Sequence, residues 1–196
     1  MDTQIKDKMN KKQINTSEFV DPSSPLDVAC LIHSDGYDWS YVDKLYSMVS
    51  RHITKPINFH VYTEADRPVP APYIKHSLIN WGISGPKKSW WYKMQLFNSD
   101  LYRGPLLYFD LDTVVTENID WIWKLNLRHF WAVRDFKYLW RPNFNGSNSS
   151  VMWWDTTKYR YIWDHVKNQK LAEFFRRYHG DQDYITAAIQ IGRAHV

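Results

Sequence analysis

The chain has 196 residues and a mass of 23.6 kDa, enough for one α/β domain with a substantial core. Its net charge is +4, but four lysines in the first twelve residues supply much of the basic excess, so the charge does not indicate nucleic-acid binding. One cysteine, Cys30, excludes an intramolecular disulfide and a cysteine zinc cluster, and no apolar run approaches the length of about 18 residues typical of a membrane-spanning helix.

The two ends of the chain are expected to lie outside the folded domain. Residues 1–24 are polar and lysine-rich with no apolar signal core, which predicts a disordered leader and, with the single cysteine, a cytoplasmic protein. Residues 191–196 (IGRAHV) back-translate to ATC-GGA-AGA-GCA-CAC-GTC, which resembles a sequencing-library adapter. We therefore expect a non-native tail, natural sequence ending near Gln190, and a domain over 25–190 that is incomplete at its C-terminus.

The first half of the chain alternates strand and helix patterns. The apolar run Leu26–His33 predicts a strand, and apolar residues at helical spacing predict a helix over Trp39–His52. Ile57–Tyr62 predicts a second strand, and the proline-rich segment Thr63–Pro72 predicts a loop. A further helix is predicted over Ser89–Leu101, where Gly104 and Pro105 stop it.

The second half continues the alternation, which favours an α/β fold with a mixed, mostly parallel sheet flanked by helices in a single domain. It begins with the apolar run Gly104–Val115, which predicts a buried strand after Gly104-Pro105 with two carboxylates at its C-terminal end. The remaining predicted elements are a short helix or turn at Ile119–Leu125, a strand at Phe130–Arg134, a loop at Arg141–Asn148, a strand at Ser149–Trp154, and helices at Thr156–Lys167, Leu171–Arg177 and Asp181–Ile189.

Two carboxylates one residue apart, Asp110 and Asp112, follow the buried strand directly. Ligands of parallel sheets bind outside the carboxyl ends of the strands, which is where these two residues fall. Small divalent ions take one or two protein carboxylates and leave positions for phosphate and water, so the pair indicates a Mg²⁺ or Mn²⁺ site that holds a diphosphate. A helix cap or a solvated turn explains the same letters without a metal.

Taken in order, four segments resemble nucleotide-sugar glycosyltransferases of the GT-A type, nearest the retaining family that includes galactosyltransferases and glycogenin. The segments are the first strand with its loop (32–37), the helix bearing Lys93, the YFDLD run (108–112), and Phe144–Val151 followed by GDQD (180–183). The resemblance covers about residues 26–190. It implies transfer of a hexose from a nucleotide diphosphate sugar, with uracil as the expected base, to a hydroxyl acceptor.

The resemblance also implies roles for individual residues. Asp110 and Asp112 would hold Mn²⁺ or Mg²⁺, which neutralises charge on the departing nucleoside diphosphate. Lys93 would lie beside the diphosphate or the first aspartate, and a snorkelling surface lysine is the alternative. The remaining expected donor contacts are Tyr37 stacked on the base, Ser34 and Asp35 on uracil or ribose, and Asn148, Ser149 and Asp181 toward the donor sugar. An ordinary turn with the sequence SDGYD is the alternative for the loop that carries Ser34, Asp35 and Tyr37.

Gln182 and Asp183 match the members of the family's Asp-Gln-Asp set that flank the reacting carbon, where they would stabilise an oxocarbenium-like transition state. An acidic helix N-terminus is the alternative for this set. Ser150 departs from the family, which has glycine there. The family's C-terminal His-x-x-Gly-x-x-Lys segment, which supplies a third metal ligand, has no equivalent after Asp183.

Two other functions fit parts of the sequence. Asp110-x-Asp112-Thr113-Val114 also matches the opening of haloacid-dehalogenase-like phosphatases, with Asp110 as nucleophile and Asp112 as general acid. Aromatic residues make up 17% of the chain, and a non-catalytic carbohydrate-binding module would use a surface formed by Trp81, Trp90, Trp91, Trp140, Trp153 and Trp154. We expect sugar donors and glycan, lipid-linked or protein acceptors as partners, and no nucleic acid.

Overall fold

A computed structural model of the chain describes residues 18–83 and 88–193, with side chains described as far as Gln190. The strands are β1 (Leu26–Leu31), β2 (Ile57–Thr63), β3 (Ile74–Ser77), β4 (Pro105–Phe109), β5 (Trp131–Arg134) and β6 (Ser147–Asp155). The α-helices are α1 (Ser40–Arg51), α2 (Arg160–Val166), α3 (Leu171–Arg177) and α4 (Asp181–Arg193). Three 3₁₀ helices lie at Ser89–Phe97, Ile122–Lys124 and Phe136–Leu139.

The described strands form one mixed sheet in the order β3-β2-β1-β4-β6-β5. The first four strands in this order are parallel, whereas β6 runs antiparallel to both β4 and β5. The central strands β1 and β4 are almost wholly buried because both faces of the sheet are covered, which is why they read as continuous apolar runs. The predicted α/β fold with a mostly parallel sheet is confirmed.

Each face of the sheet carries its own apolar core. On one face α1 presents Val42, Leu45 and Val49, which pack with the core residues of β1 and β2. On the other face the 3₁₀ helix Ser89–Phe97 and the three C-terminal helices pack over aromatic residues such as Trp154. The helical spacing of the buried α1 residues explains why this helix follows its sequence pattern closely.

The predicted helix over Ser89–Leu101 is wrong in type and extent. The segment is a 3₁₀ helix that ends at Phe97, and every residue from Trp91 to Phe97 is buried. A segment buried on all sides has no polar stripe, so apolar spacing gave a poor guide to its geometry. Beyond it, the Asn98 side chain accepts a hydrogen bond from the backbone N–H of Asp100 and forms a turn.

Two further differences concern the ends of elements. Strand β3 follows the predicted loop and was not predicted, because Ile74–Ser77 is short and lies at the sheet edge with no buried residue. The predicted helix at Thr156–Lys167 begins only at Arg160. Asp155 accepts hydrogen bonds from the backbone and hydroxyl of Thr157, and this local turn displaces the first helical residues.

The predicted leader and tail lie partly outside the described residues, which exclude 1–17 and 194–196. Within the described part, the carbonyl of Glu18 accepts a hydrogen bond from the Leu127 N–H, and Lys55 donates to the carbonyls of Asp21 and Pro22. Residues 18–24 are thus held against the domain. Among the described helices, none has the length and apolar character needed to cross a bilayer.

Candidate functional site

The carboxyl ends of β1, β2 and β4 meet at one edge of the sheet, and a cavity of about 340 Å³ opens there. Because β6 is antiparallel, its beginning rather than its end reaches the same edge. Residues from three segments line the cavity: Leu31, His33, Gly36 and Tyr37 from the end of β1 and the loop after it; Ser89, Trp90 and Lys93 from the 3₁₀ helix; and Tyr108, Asp110, Leu111 and Asp112 from the end of β4 and the residues after it.

A buried charge cluster forms the floor of this edge. The Lys93 ammonium lies 2.8 and 2.9 Å from the two carboxylate oxygens of Asp110 and 3.3 Å from an oxygen of Asp181. The Ser149 hydroxyl lies 3.2 Å from the same ammonium and donates to Asp181 at 2.5 Å. Lys93, Ser149 and Asp181 are each less than a tenth exposed. Residues far apart in sequence are therefore joined around one cation.

The electrostatics of the cluster keep Lys93 charged. Burial alone would lower the pKa of Lys93, but the carboxylates of Asp181 and Asp110 outweigh burial and raise the pKa above its ordinary value. Tyr108 donates to Asp110 at 2.7 Å, and burial followed by the nearby Asp110 charge raises the pKa of this phenol well above its usual range. The phenol thus remains a hydrogen-bond donor at any physiological pH.

Asp112 differs sharply from Asp110 in its surroundings. Its side chain is exposed, and one carboxylate oxygen accepts a hydrogen bond of 3.1 Å from the Tyr37 hydroxyl. Burial, and then the charge of Asp112, raise the pKa of Tyr37, whose ring also packs edge-on against Tyr41. The structure therefore brings Tyr37 and Asp112 together at the mouth of the cavity.

The loop after β1 is held by two residues that sequence reasoning missed. The backbone of Ser34 has a φ of 60°, a region that non-glycine residues rarely adopt. Its N–H donates to Glu64 at 2.5 Å, its carbonyl accepts from Arg67 at 2.8 Å, and Arg67 and Glu64 form an ion pair at 2.8 Å. Glu64 directly follows β2, so its position at a strand's carboxyl end was the available signal.

Ser34 and Asp35 themselves do not line the 340 Å³ cavity, whereas their neighbours His33 and Gly36 do. The His33 ring stacks on Tyr92 at 3.9 Å between centroids. His33 also lines a second cavity of about 520 Å³, together with Glu64 and Asn80. The two cavities therefore share His33 as a lining residue.

The start of β6 lies beside Asp110. The Asp110 backbone N–H donates to the Ser150 carbonyl at 2.8 Å, and the Asn148 side chain accepts from the Ser150 N–H at 2.8 Å. The Asn148 oxygen is thus turned toward its own backbone. Of the two donor-sugar candidates in this strand, Ser149 belongs to the buried charge cluster and Asn148 does not.

Gln182 and Asp183 lie on a different side of α4 from the charge cluster. Gln182 donates to Asp135 at 3.2 Å, and Asp183 lines a separate cavity of about 270 Å³ with Phe144 and Thr186. Among the predicted residues, the structure therefore gathers Tyr37, Lys93, Asp110 and Asp112 at one cavity and Ser149 and Asp181 beneath it. It does not place Gln182 or Asp183 in that cavity.

The donor set suits a hard divalent cation only in part. A carboxylate offers about four lone-pair positions, and Asp110 already accepts hydrogen bonds from Lys93 and Tyr108, with the Lys93 ammonium 2.8 and 2.9 Å from its two oxygens. Asp112 accepts one hydrogen bond and keeps more free capacity. In the described residues no group of three or more His, Cys, Asp or Glu side chains is arranged to hold a metal. These carboxylates therefore fit a cation that takes most of its other ligands from diphosphate and water.

Comparison with known proteins gives a consistent picture of the fold. No protein-family model matches the sequence, and no curated protein sequence matches it. Among solved structures, the chain is similar to the glycosyltransferase GlyE of Streptococcus pneumoniae TIGR4, with a TM-score of 0.59 and 14% identity over 85% of this chain. That match covers 43% of GlyE, so the chain spans less than half of that protein.

The chain is similar also to the galactosyltransferase LgtC. An active-site mutant of LgtC gives a TM-score of 0.60 and 15% identity, covering 84% of this chain and 70% of LgtC. LgtC in complex with donor and acceptor sugar analogs gives a TM-score of 0.57 and 16% identity over the same shares. The polypeptide described here therefore has the GT-A-type fold of these glycosyltransferases.

Proposed function

We propose that the chain is the nucleotide-sugar-binding part of a glycosyltransferase that moves a hexose, with a divalent cation, from a nucleotide diphosphate sugar to a hydroxyl acceptor. The observation that supports this most directly is the cavity that Tyr37, Lys93, Asp110 and Asp112 share at the carboxyl ends of parallel strands. The GT-A-type fold adds support from an independent direction.

In this proposal different side chains hold the cation and the base of the donor. Asp112 provides the principal carboxylate for Mn²⁺ or Mg²⁺, and Asp110 provides lone-pair capacity that its hydrogen bonds from Lys93 and Tyr108 leave free. When bound, the cation neutralises the charge that builds up on the nucleoside diphosphate as the glycosyl bond breaks. Tyr37 at the cavity mouth packs against the uracil base, and His33 and Glu64 line the neighbouring cavity.

Lys93 acts mainly through Asp110 and Asp181 in this proposal. Its ammonium is shared between two carboxylates, which fixes the Asp110 carboxylate against rotation while leaving net negative charge for the cation. Asp181 and Ser149 complete the support beneath the donor sugar. Retention of configuration, with Gln182 and Asp183 beside the reacting carbon, stays a prediction, as does a cytoplasmic location.

Binding of uridine diphosphate with and without Mn²⁺ tests the proposal. Isothermal titration calorimetry of the chain should show nucleotide binding that Mn²⁺ strengthens by about tenfold or more, and a matching rise in melting temperature. Asp112→Asn keeps the shape and the Tyr37 hydrogen bond, and it should abolish most of the Mn²⁺ effect. The metal site is refuted if Mn²⁺ does not change the affinity for the nucleotide, or if the Asp112→Asn variant shows the same Mn²⁺ effect as the unmodified chain.

Asp100→Asn is the matched control, because Asp100 is an exposed aspartate that pairs with Arg160 away from the cavity. Its binding of Mn²⁺ and nucleotide should equal that of the unmodified chain. Hydrolysis of a uridine diphosphate hexose, measured with Mn²⁺ and again with a chelator, then extends the test from binding to chemistry.

Two observations weigh against the other functions. A phosphatase would need Asp110 as a nucleophile, but that carboxylate accepts hydrogen bonds from Lys93 and Tyr108 and follows the fourth strand in chain order. The proposed tryptophan surface of a carbohydrate-binding module is wrong in part. Trp91, Trp153 and Trp154 are at most 1% exposed and belong to the cores.

A further inference from the structure

A short turn between β5 and β6 exposes three large apolar side chains close together. Phe136, Leu139 and Trp140 are 57%, 64% and 66% exposed, and all three lie within or directly after the 3₁₀ helix Phe136–Leu139. Residues three apart in a 3₁₀ helix lie over one another, so Phe136 and Leu139 share one face. Such a concentration within five residues marks an interaction surface rather than scattered exposure.

The charges around these side chains are positive. Arg134, Lys137 and Arg141 are the basic residues of the segment Arg134–Arg141, which we call the apolar turn. Asp135 is its single acidic residue and is 6% exposed; it accepts from Gln182 and from the Lys137 N–H, and its carboxylate lies 3.6 Å from the Lys137 ammonium, which stays partly exposed. The exposed surface of the apolar turn therefore combines apolar side chains with cations.

Hydrogen bonds hold the apolar turn in this arrangement. The Arg134 guanidinium donates to the carbonyls of Pro142 and Phe144, at 2.9 and 3.1 Å. The Asp135 N–H donates to the Gly146 carbonyl at 2.9 Å, and the Arg141 N–H donates to the Lys137 carbonyl at 2.8 Å. A Cβ atom added at Gly146 would lie 2.6 Å from the Phe144 ring, so the backbone that leads back to β6 packs closely against that ring. The turn is supported from beneath and holds its apolar side chains outward.

We propose that the apolar turn docks on the surface of an anionic lipid bilayer. Phe136, Leu139 and Trp140 enter the interfacial region, where tryptophan places its ring in apolar surroundings and its N–H at the headgroups. Lys137 and Arg141 contact anionic headgroups. Phenylalanine and leucine beside the tryptophan supply apolar depth that a sugar ring does not require, and the basic residues match an anionic surface.

The apolar turn contacts the start of α4. Asp135 accepts a hydrogen bond from Gln182, the residue after Asp181 of the buried charge cluster. A bilayer bound to the turn would bring a lipid-linked hydroxyl acceptor near the start of this helix. That consequence rests on the proposed function, whereas binding to lipid does not and is measured without nucleotide or metal.

Co-sedimentation of the chain with phosphatidylcholine vesicles, with and without phosphatidylglycerol, tests the proposal. The chain should bind the anionic vesicles, and its tryptophan fluorescence should shift to shorter wavelength. Leu139→Ser combined with Trp140→Ser should weaken binding by about tenfold or more. Lys137→Gln combined with Arg141→Gln should weaken it by about 25-fold, because each basic residue near an anionic surface contributes about fivefold.

Trp121→Ser is the control for loss of an exposed ring, because Trp121 is 59% exposed and lies outside the apolar turn. All variants keep the lysines of residues 1–24, so a difference between them reports on the turn rather than on those lysines. Unchanged melting temperatures verify folding. The proposal is overturned if the chain does not bind anionic vesicles, or if Trp121→Ser weakens vesicle binding as much as the turn variants do. It is also overturned if the turn variants lose only self-association or glycan binding.

Discussion

Replacing Lys93 by methionine tests whether one buried cation holds the candidate site together. Methionine keeps most of the apolar stem but removes the ammonium from between Asp110 and Asp181, which lie 2.8 and 3.3 Å from it. The side chains of these carboxylates are 19% and 9% exposed, so they would face each other with little help from water. Breaking a buried ion pair from one side costs about 3–5 kcal/mol.

That cost predicts a fall in melting temperature of about 6 to 20 °C, because 1 kcal/mol corresponds to about 2–4 °C in a domain of this size. Thermal and urea unfolding at neutral pH measure it directly. Since the pKa of Lys93 is raised above its ordinary 10.5, the stabilisation in the unmodified chain is complete below that pH and is lost only in more alkaline solution.

The pH dependence gives a second signature. The stability deficit of Lys93→Met should be constant below pH 10.5 and shrink in more alkaline solution, where the unmodified chain loses the Lys93 charge. Lys167→Met is the matched control, because Lys167 pairs with Asp164 at the surface and its loss should cost about 1 kcal/mol or less. The reasoning is refuted if Lys93→Met loses less than about 1 kcal/mol at neutral pH, or if its deficit persists unchanged in alkaline solution after Lys93 loses its charge.

Two further changes probe the β1 loop and the core. Burial would raise the pKa of Glu64, but hydrogen bonds from Arg67 and Ser34 outweigh burial and hold the pKa at about 2. The stability that this carboxylate contributes should therefore be lost as the pH falls from 4.5 to 2. Glu64→Gln should cost about 2 kcal/mol at neutral pH and flatten that part of the melting-temperature profile, whereas parallel profiles would contradict the assignment. Trp154→Ala, at a fully buried site, should cost about 3–5 kcal/mol by chemical unfolding, and Trp140→Ala, at an exposed site, about 0.5 kcal/mol or less. Equal losses of unfolding free energy in the two tryptophan variants would show that the core is wrongly assigned.

Most of the regular elements were predictable because their signals are local. The apolar runs of β1 and β4 and the amphipathic spacing of α1 required no knowledge of the rest of the chain. The 3₁₀ helix Ser89–Phe97 was not predictable in the same way. Its burial on all sides is set by the elements that surround it, and only those contacts explain why polar Gln95 is fully buried there, bonded to the backbone of Ile79.

The carboxylates of the candidate site were identifiable because they directly follow a buried strand, but their different roles were not. The sequence spacing does not distinguish Asp110 from Asp112. In the fold, Asp110 pairs with the buried Lys93, whereas Asp112 is exposed beside Tyr37. The contribution of Glu64 was missed because it depends on a hydrogen bond to a backbone 30 residues away.

The sequence alone determined the sheet's apolar strands, the order of alternating elements and the pair of acids after β4, because burial and chain direction act over a few neighbouring residues. Only the tertiary structure decided that Lys93, Ser149 and Asp181 share one charge cluster, and that the apolar turn faces outward. Interactions between side chains at a distance of a few ångströms depend on how the sheet and helices assemble, and the order of residues in the chain does not encode such distances locally.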